Sequence, residues 1–213
     1  MSNKFIITGT DTGIGKTVVS AMLMLALDAS YWKPVQSGVE GGVDTKLVQK
    51  LTGLPAERFL EERYILSEPL SPHRSAELDG VEIDLAQLSP PKVEGPLIIE
   101  GAGGLMVPLT RKNLLINLFK TWQKDERIPV ILVARTGLGT INHTLLSLEA
   151  LWARDIPVQG IVFVGEKNED NIRTIAAFSQ VKILGHLPML DSLNAQGLTA
   201  AFGDNFNLGD FKD

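Results

Sequence analysis

The stretch Gly9-Thr10-Asp11-Thr12-Gly13-Ile14-Gly15-Lys16-Thr17 most constrains what this chain can fold into. It follows Lys4-Phe5-Ile6-Ile7-Thr8, a β-branched and aromatic run that reads as a buried strand. It leads straight into residues 18–27, an apolar run that reads as a mostly buried helix. A strand, a glycine-rich turn ending in Gly-Lys-Thr and a helix form the context of a phosphate-binding loop. Backbone N–H groups of the turn and of the helix N-terminus converge on an anion. Lys16 is placed to reach the outer phosphates, and the Thr17 hydroxyl to ligate Mg²⁺. The strict pattern has glycine six positions before the lysine, where Thr10 stands; the first glycine is Gly9, so the loop is one residue longer.

A chain of 213 residues, 44% hydrophobic and 21% charged, can bury a sizeable core, and residues 1–213 read as a single domain. Net charge is −5 with acids and bases interspersed, so no basic stripe marks a nucleic-acid partner. The absence of cysteine excludes disulfides, cysteine-based zinc sites and thiol catalysis, and fits a reducing compartment. Met1-Ser2-Asn3-Lys4 enters the first strand at once, leaving no room for a signal peptide, and no apolar run is long enough to span a membrane. A cytoplasmic protein is expected, without a membrane or nucleic-acid partner.

Further along, Tyr31-Trp32-Lys33-Pro34-Val35 reads as a short strand ended by proline. A polar loop, residues 36–42, then leads into a helix over 44–51 with Asp44 in its first turn, where a carboxylate suits the helix dipole. Residues 54–93 hold five of the eleven prolines and read as short helices and loops. Strands are expected at 96–100, 129–134, 158–164 and 181–185, and helices at 114–122, 142–153 and 168–178. Gly101-Ala102-Gly103-Gly104 reads as a loop after its strand. Strands apolar throughout are buried on both faces, which favours a parallel sheet. Alternation with helices predicts a three-layer α/β/α, P-loop NTPase-like domain with a mainly parallel central sheet. Ligands in such sheets bind beyond the carboxyl ends of the strands. The loops at 9–17, 33–38, 100–104 and 135–142 all fall on that edge.

The motifs together point further. Gly9-Thr10-Asp11-Thr12 before Gly15-Lys16-Thr17, Lys33-Pro34-Val35-Gln36-Ser37-Gly38 and Glu68-Pro69-Leu70-Ser71-Pro72-His73 occur in order. They are followed by Glu100-Gly101-Ala102-Gly103-Gly104 and Leu138-Gly139-Thr140-Ile141-Asn142-His143. This series resembles the dethiobiotin synthetase family from residue 5 to about 150. The resemblance implies closure of a ureido ring from 7,8-diaminopelargonic acid, CO₂ and a nucleoside triphosphate, ordinarily ATP, with Mg²⁺. It also implies a homodimer in which both subunits shape the substrate site.

On this resemblance Lys16 and Lys33 are the catalytic residues, one at the β/γ-phosphates and the other facing the carbamate and γ-phosphate. Gly13, Ile14, Gly15, Lys16, Thr17 and Val18 hold phosphate, and Glu100, Gly101, Ala102 and Gly103 border the nucleotide. Gly165, Leu187, Pro188 and Met189 lie at the base. Thr12, Lys33, Ser37, Gly139, Thr140 and Asn142 bind the diamine substrate, the last three through helix-opening N–H groups facing its carboxylate across the dimer. Thr17, Asp44 and Glu100 form the Mg²⁺ shell, which suits a hard cation that keeps several waters. Taken alone, Asp44 also reads as a helix cap or first-turn acid, Ser37 as a turn serine, and His73 as a structural residue holding its loop. Asp11 is placed to meet a substrate amine.

One departure stands out. Members favouring ATP tend to carry Asn-Asp after the strand matching residues 160–164, whereas here Gly165-Glu166 follows Val164. A base site less selective for adenine than in typical members, or one that accepts CTP or GTP comparably, is expected. Two rival readings share the phosphate loop. A switch ATPase of the partitioning type carries a second lysine where Asp11 stands, and often ends in a basic or amphipathic segment; residues 203–210 here are acidic and glycine-rich. A related amide-forming ligase or small-molecule kinase would use the same phosphate chemistry.

Overall fold

The computed structural model describes residues 4–211. Residues 1–3, on which the expectation about a leader rests, lie outside the described residues, as do 212–213. Strands β1 (Lys4–Gly9), β2 (Ser30–Trp32), β4 (Phe59–Leu60), β6 (Leu97–Gly104), β7 (Val130–Arg135), β8 (Val158–Val164) and β9 (Ile183–Leu187) form one sheet. Their order is β4-β2-β6-β1-β7-β8-β9, and every pairing is parallel. β1 therefore lies between β6 and β7, and its last residue opens the phosphate loop at the carboxyl edge.

Side chains alternate across the pleat, so β1 feeds two cores. Ile7 packs with Val19, Met22 and Leu23 of α1 (Lys16–Leu27) and with Leu198 of α7 (Ala195–Asn205). Ile6 packs on the other face with Leu115, Phe119 and Trp122 of α4 (Leu115–Trp122). Leu148 of α5 (Thr140–Trp152) and Ile175 of α6 (Glu169–Ser179) join β7 and β8 on a third apolar cluster. Apolar strands covered on both faces are what a parallel sheet requires, and the predicted three-layer fold is the one observed. Among the described residues, no helix is long and apolar enough to cross a membrane.

The structure departs from the sequence reading in ways that matter for the site. The single strand expected at 31–35 is two: β2 stops at Trp32, and β3 (Val35–Ser37) pairs instead with β5 (Tyr64–Leu66) in a separate two-stranded sheet. Pro34 lacks an N–H for the ladder, and its carbonyl accepts from Arg63 N and Tyr64 N at 3.0 and 3.2 Å, turning the chain away from the main sheet. Lys33 is left at the break. β6 runs on through the residues expected as a loop, to Gly104. These glycines serve close packing: a Cβ on Gly101 would lie 3.0 Å from Phe119 Cζ and 3.1 Å from Leu115 Cδ2.

The proline-rich 54–93 stretch holds α3 (Pro72–Asp79) as a short helix, and also β4 and β5, which were not expected. α2 (Asp44–Thr52) falls where it was read. The helix expected from 142 opens at Thr140, and the strand expected at 181–185 is shifted to Ile183–Leu187. α7 was not foreseen.

Candidate active site

The phosphate loop is shaped by two glycines in the left-handed region, Gly13 at φ 65° and Gly15 at φ 95°, a conformation that side chains disfavour. Gly15 is also the N-cap of α1, so the helix N-terminus opens onto the loop. Thr10 N donates to Val133 O at 3.0 Å, fixing the first half of the loop to β7. The Lys16 ammonium donates to Asp11 O at 2.8 Å. Burial, opposed by the charge of Glu100 and reinforced by that of Lys33, lowers Lys16 to about 8. Asp11 is exposed, and its carboxylate accepts from Thr12 N at 2.8 Å and from Arg135 Nη2 at 2.8 Å.

Glu100 sits mid-strand, almost fully buried, and all its lone-pair directions are used. Oε1 accepts from Thr17 Oγ1 at 2.9 Å and Lys33 Nζ at 3.0 Å. Oε2 accepts from Ser20 Oγ at 2.8 Å and Tyr31 Oη at 3.0 Å. Lys33 Nζ also lies 2.5 Å from Asp44 Oδ2. A buried ion needs such saturation to be tolerated. Burial acts to lower Lys33, but the charges and hydrogen bonds of Glu100 and Asp44 outweigh it, and the ammonium is held above the usual lysine range. Burial and then the adjacent Glu100 charge push the Tyr31 phenol well above its ordinary value. Asp44 is the first residue of α2, with Val43 at the N-cap, so its local reading as a first-turn acid holds and its reading as a cap does not.

Thr17 Oγ1, Asp44 and Glu100 bring one hydroxyl and two carboxylates, all hard oxygen donors, to neighbouring positions linked by Lys33, and a cation would take the place of one of the donors now on Glu100 Oε1. This donor set fits Mg²⁺, which takes few protein oxygens and completes its shell with waters and phosphates. Among the described residues no group of three or more His, Asp or Glu side chains could hold a metal alone.

A cavity of about 780 Å³ opens at this edge. Its wall brings together Thr12, Gly13, Ile14, Gly15, Lys16, Thr17, Lys33, Ser37, Asp44, Glu100, Ala102 and Gly103 from the sequence reading. Ser37 Oγ is buried with no hydrogen-bond partner in a residue that lines the cavity, a polar group left without its usual pairing.

Other expected residues lie elsewhere. Gly101 is tucked under α4, and Val18 lies within α1. Gly165, Leu187, Pro188 and Met189 form a separate shelf, in which Gly165 N donates to Leu187 O at 3.0 Å and His186 Nε2 meets Gly165 O at 2.7 Å. The shelf adjoins the loop through Val164, whose Cγ1 would be 2.9 Å from a Cβ on Gly15. Gly139, Thr140 and Asn142 open α5 outside the cavity wall, and the Thr140 hydroxyl is committed to Arg135 O at 2.5 Å.

Several wall residues were missed. Gln36, Leu70, Leu105, Met106 and Val107 contribute, as do His143, Leu146, Ser147 and Ala150 of α5. The last four recur at helical spacing on one face, the signal that could have found them. His73 supports the wall from behind: its Nδ1 lies 2.9 Å from Ser71 Oγ, and its N–H donates to Pro108 O at 3.2 Å.

With this geometry in view, comparison with known proteins is informative. A family model described as an AAA domain matches residues 3–197. A protein of Agrobacterium fabrum named ATP-dependent dethiobiotin synthetase is 56% identical over 211 residues, covering 99% of this chain and 98% of its own. One of the same name from Rhodopseudomonas palustris is 54% identical, with the same coverage. Another, from Novosphingobium aromaticivorans, is 52% identical over 97% of this chain and 98% of its own. Among solved structures, a ParA family ATPase from Chlorobium tepidum superposes with a TM-score of 0.52 at 12% identity, covering 93% of this chain and 96% of its own. The signal recognition particle 54 kDa protein of Aeropyrum pernix gives 0.51 at 16% identity, over 98% of this chain and 47% of its own. At such identities these two show the fold alone.

Proposed function

The chain belongs to the ATP-dependent dethiobiotin synthetase family, and from that premise we propose how its residues close the ureido ring of dethiobiotin. One amine of 7,8-diaminopelargonate adds to CO₂, losing a proton, and becomes a carbamate. A carbamate oxygen attacks the γ-phosphorus of ATP and releases ADP, giving a carbamic–phosphoric anhydride. The second amine attacks the carbamoyl carbon, phosphate leaves, and the ring is closed. Phosphorylation is needed because the carbamate anion is a poor electrophile. Two anions must therefore meet, and the protein's task is to position them and offset their repulsion.

The observation that carries this reading is the pair of buried lysines, Lys16 and Lys33, in the wall of one cavity that Ser37, with its unpartnered hydroxyl, also lines. Lys16 leaves the Asp11 carbonyl for the β/γ-phosphates, which the N–H groups of Gly13 to Val18 cradle. Lys33 faces the carbamate oxygen and the γ-phosphate. Ser37 and Thr12 hydrogen-bond the diamine or its carbamate. Thr17, Asp44 and Glu100 would hold Mg²⁺, which would supply neutralisation of phosphate charge. Ala102 and Gly103 border the nucleotide, and Gly165 to Met189 flank its base. Gly139, Thr140 and Asn142 serve the substrate carboxylate of a partner subunit in a homodimer. Exposed Leu138, Met106 and Leu146, the last two in the cavity wall, support such a covered face. Residues 1–213 act as one domain in the cytoplasm, with no nucleic-acid or membrane partner.

Nucleotide hydrolysis measured with and without diamine and bicarbonate tests the reading. Phosphate release is expected to depend on both. Release without either, stimulated by a protein partner, would favour the switch ATPase instead; that reading also lacks the loop lysine, since Asp11 stands in its place.

A further inference from the structure

Helix α2 begins without a cap of its own. Val43 is its N-cap and offers no side-chain acceptor, although the first N–H groups of a helix have no partner within it. The missing acceptor comes from eight residues upstream. Gln36 Oε1 accepts from Asp44 N at 3.2 Å. The other end of the same amide donates to Gly38 O at 2.9 Å and to Ser37 O at 3.4 Å. Gln36 is 5% exposed and lies in the cavity wall.

The segment spanned in this way is pinned at its start, where Gly38 N donates to Leu66 O at 2.9 Å and Val39 N to Ser67 O at 3.3 Å, and is open beyond it. Gly38, Gly41 and Gly42 all have φ between 82° and 100°, and nothing lies within 4 Å of a Cβ placed on Gly41 or Gly42. At one end is Ser37, with its unpartnered hydroxyl; at the other is Asp44, with its carboxylate on Lys33. We propose that Gln36 is a positioning residue that links the substrate-side serine to the metal-side aspartate, so that one side-chain amide couples the placement of the two. This rests on the assignment of Ser37 to the diamine and of Asp44 to the Mg²⁺ shell.

Two substitutions separate the arms. Gln36→Met keeps the length and removes every hydrogen bond; Gln36→Glu keeps the acceptor for Asp44 N and loses the donors to Ser37 and Gly38. The readouts are Mn²⁺ affinity, by electron paramagnetic resonance with a non-hydrolysable ATP analogue, and KM for the diamine. Gln36→Met should weaken both by about fivefold, the effect of losing an ordinary hydrogen bond at each end. Affinity for the analogue without metal should stay at the wild-type value. Gln36→Glu should raise KM alike while binding Mn²⁺ at least as tightly as wild type.

Wild-type values of both constants in Gln36→Met, with only a lower melting temperature, would overturn the proposal. If Gln36→Met does not fold, Gln36→Glu decides, and an unchanged KM there overturns it. Asp44→Asn is the control for the underlying assignment. If it leaves Mn²⁺ affinity intact, the metal assignment falls and the proposal with it. If it weakens Mn²⁺ binding while Gln36→Met does not, the proposal alone falls.

Discussion

Lys33 and Glu100 meet at 3.0 Å with side chains only 5% and 1% exposed, and Asp44 approaches the same ammonium at 2.5 Å. Removing one partner of such a group leaves uncompensated buried charge, at a cost of about 3 kcal/mol. Lys33→Met is therefore expected to lower the melting temperature, and Mg²⁺ or Mn²⁺ to restore part of the loss by supplying another cation to the same oxygens. Turnover should fall far more than nucleotide affinity, because the ammonium acts where charge gathers in the transition state. Lost affinity with an intact rate would contradict that role.

The lowered value of Lys16, about 8, arises from burial, opposed by Glu100 and reinforced by Lys33. Between pH 8 and the unfolded value of 10.5 the unfolded chain holds this proton and the folded chain does not. Stability from this residue thus rises with pH across that window. Lys33, raised in the folded state, has the opposite sign: its contribution is complete below 10.5 and is lost as pH climbs through its folded value. A triphosphate requires the Lys16 ammonium, so binding should weaken above pH 8. At pH 8.5, calorimetry in buffers of different ionisation enthalpy should find a net uptake of protons on binding. Lys16→Met should abolish the uptake; its absence from wild type would contradict the assignment.

Glu100 accepts from four donors, and the two on Oε2 come from Ser20 and Tyr31 rather than from the catalytic groups. Glu100→Gln sets an amide N–H₂ against donors and should cost about 2 kcal/mol or more, together with the loss of divalent-cation affinity. Tyr31→Phe removes one donor on the far oxygen and should cost about 1 kcal/mol, with kcat close to wild type. Denaturant unfolding and Mn²⁺ titration of both variants separate the two effects. Equal losses of metal affinity would show that Oε2 also shapes the cation site.

At the proposed base shelf, Gly165 stands where the family resemblance implies a side chain that reads adenine, and its N–H is already given to Leu187 O. A site built to hydrogen-bond one base rejects others by as much as about 10⁴-fold. Here turnover with ATP, CTP and GTP, measured side by side with UTP, is expected to span much less. A preference for ATP above about a hundredfold would overturn this expectation.

The loop from Gly9 to Thr17 was legible because its chemistry is bound to residue type and spacing, and the apolar strands because burial on both faces leaves no polar alternation. Lys33 was legible as a residue but not as a chain break, since the aromatic run continues into Val35 and only Pro34 marks the change of sheet. Gly101 to Gly104 look like a loop in sequence, yet Gly101 is required by the close approach of Phe119 and Leu115. The saturation of Glu100 could not be read at all: Ser20 and Tyr31 lie 80 and 69 residues away from it. His143, Leu146, Ser147 and Ala150 share one helical face, but polar and apolar residues alternate along it, so only their spacing, and not their chemistry, marks them as a wall. The pairing of Asp11 with Arg135, 124 residues away, could not be read from the sequence either.

The central claim is that the cavity joins a diamine, CO₂ and a nucleoside triphosphate into a cyclic urea. Incubating the protein with 7,8-diaminopelargonate, bicarbonate, ATP and Mg²⁺, and analysing the products by mass spectrometry, tests it directly. The expected result is dethiobiotin that gains carbon label from ¹³C-bicarbonate, formed with phosphate in equal amount and absent with Lys33→Ala. ATP hydrolysis that proceeds without any dethiobiotin would contradict the claim.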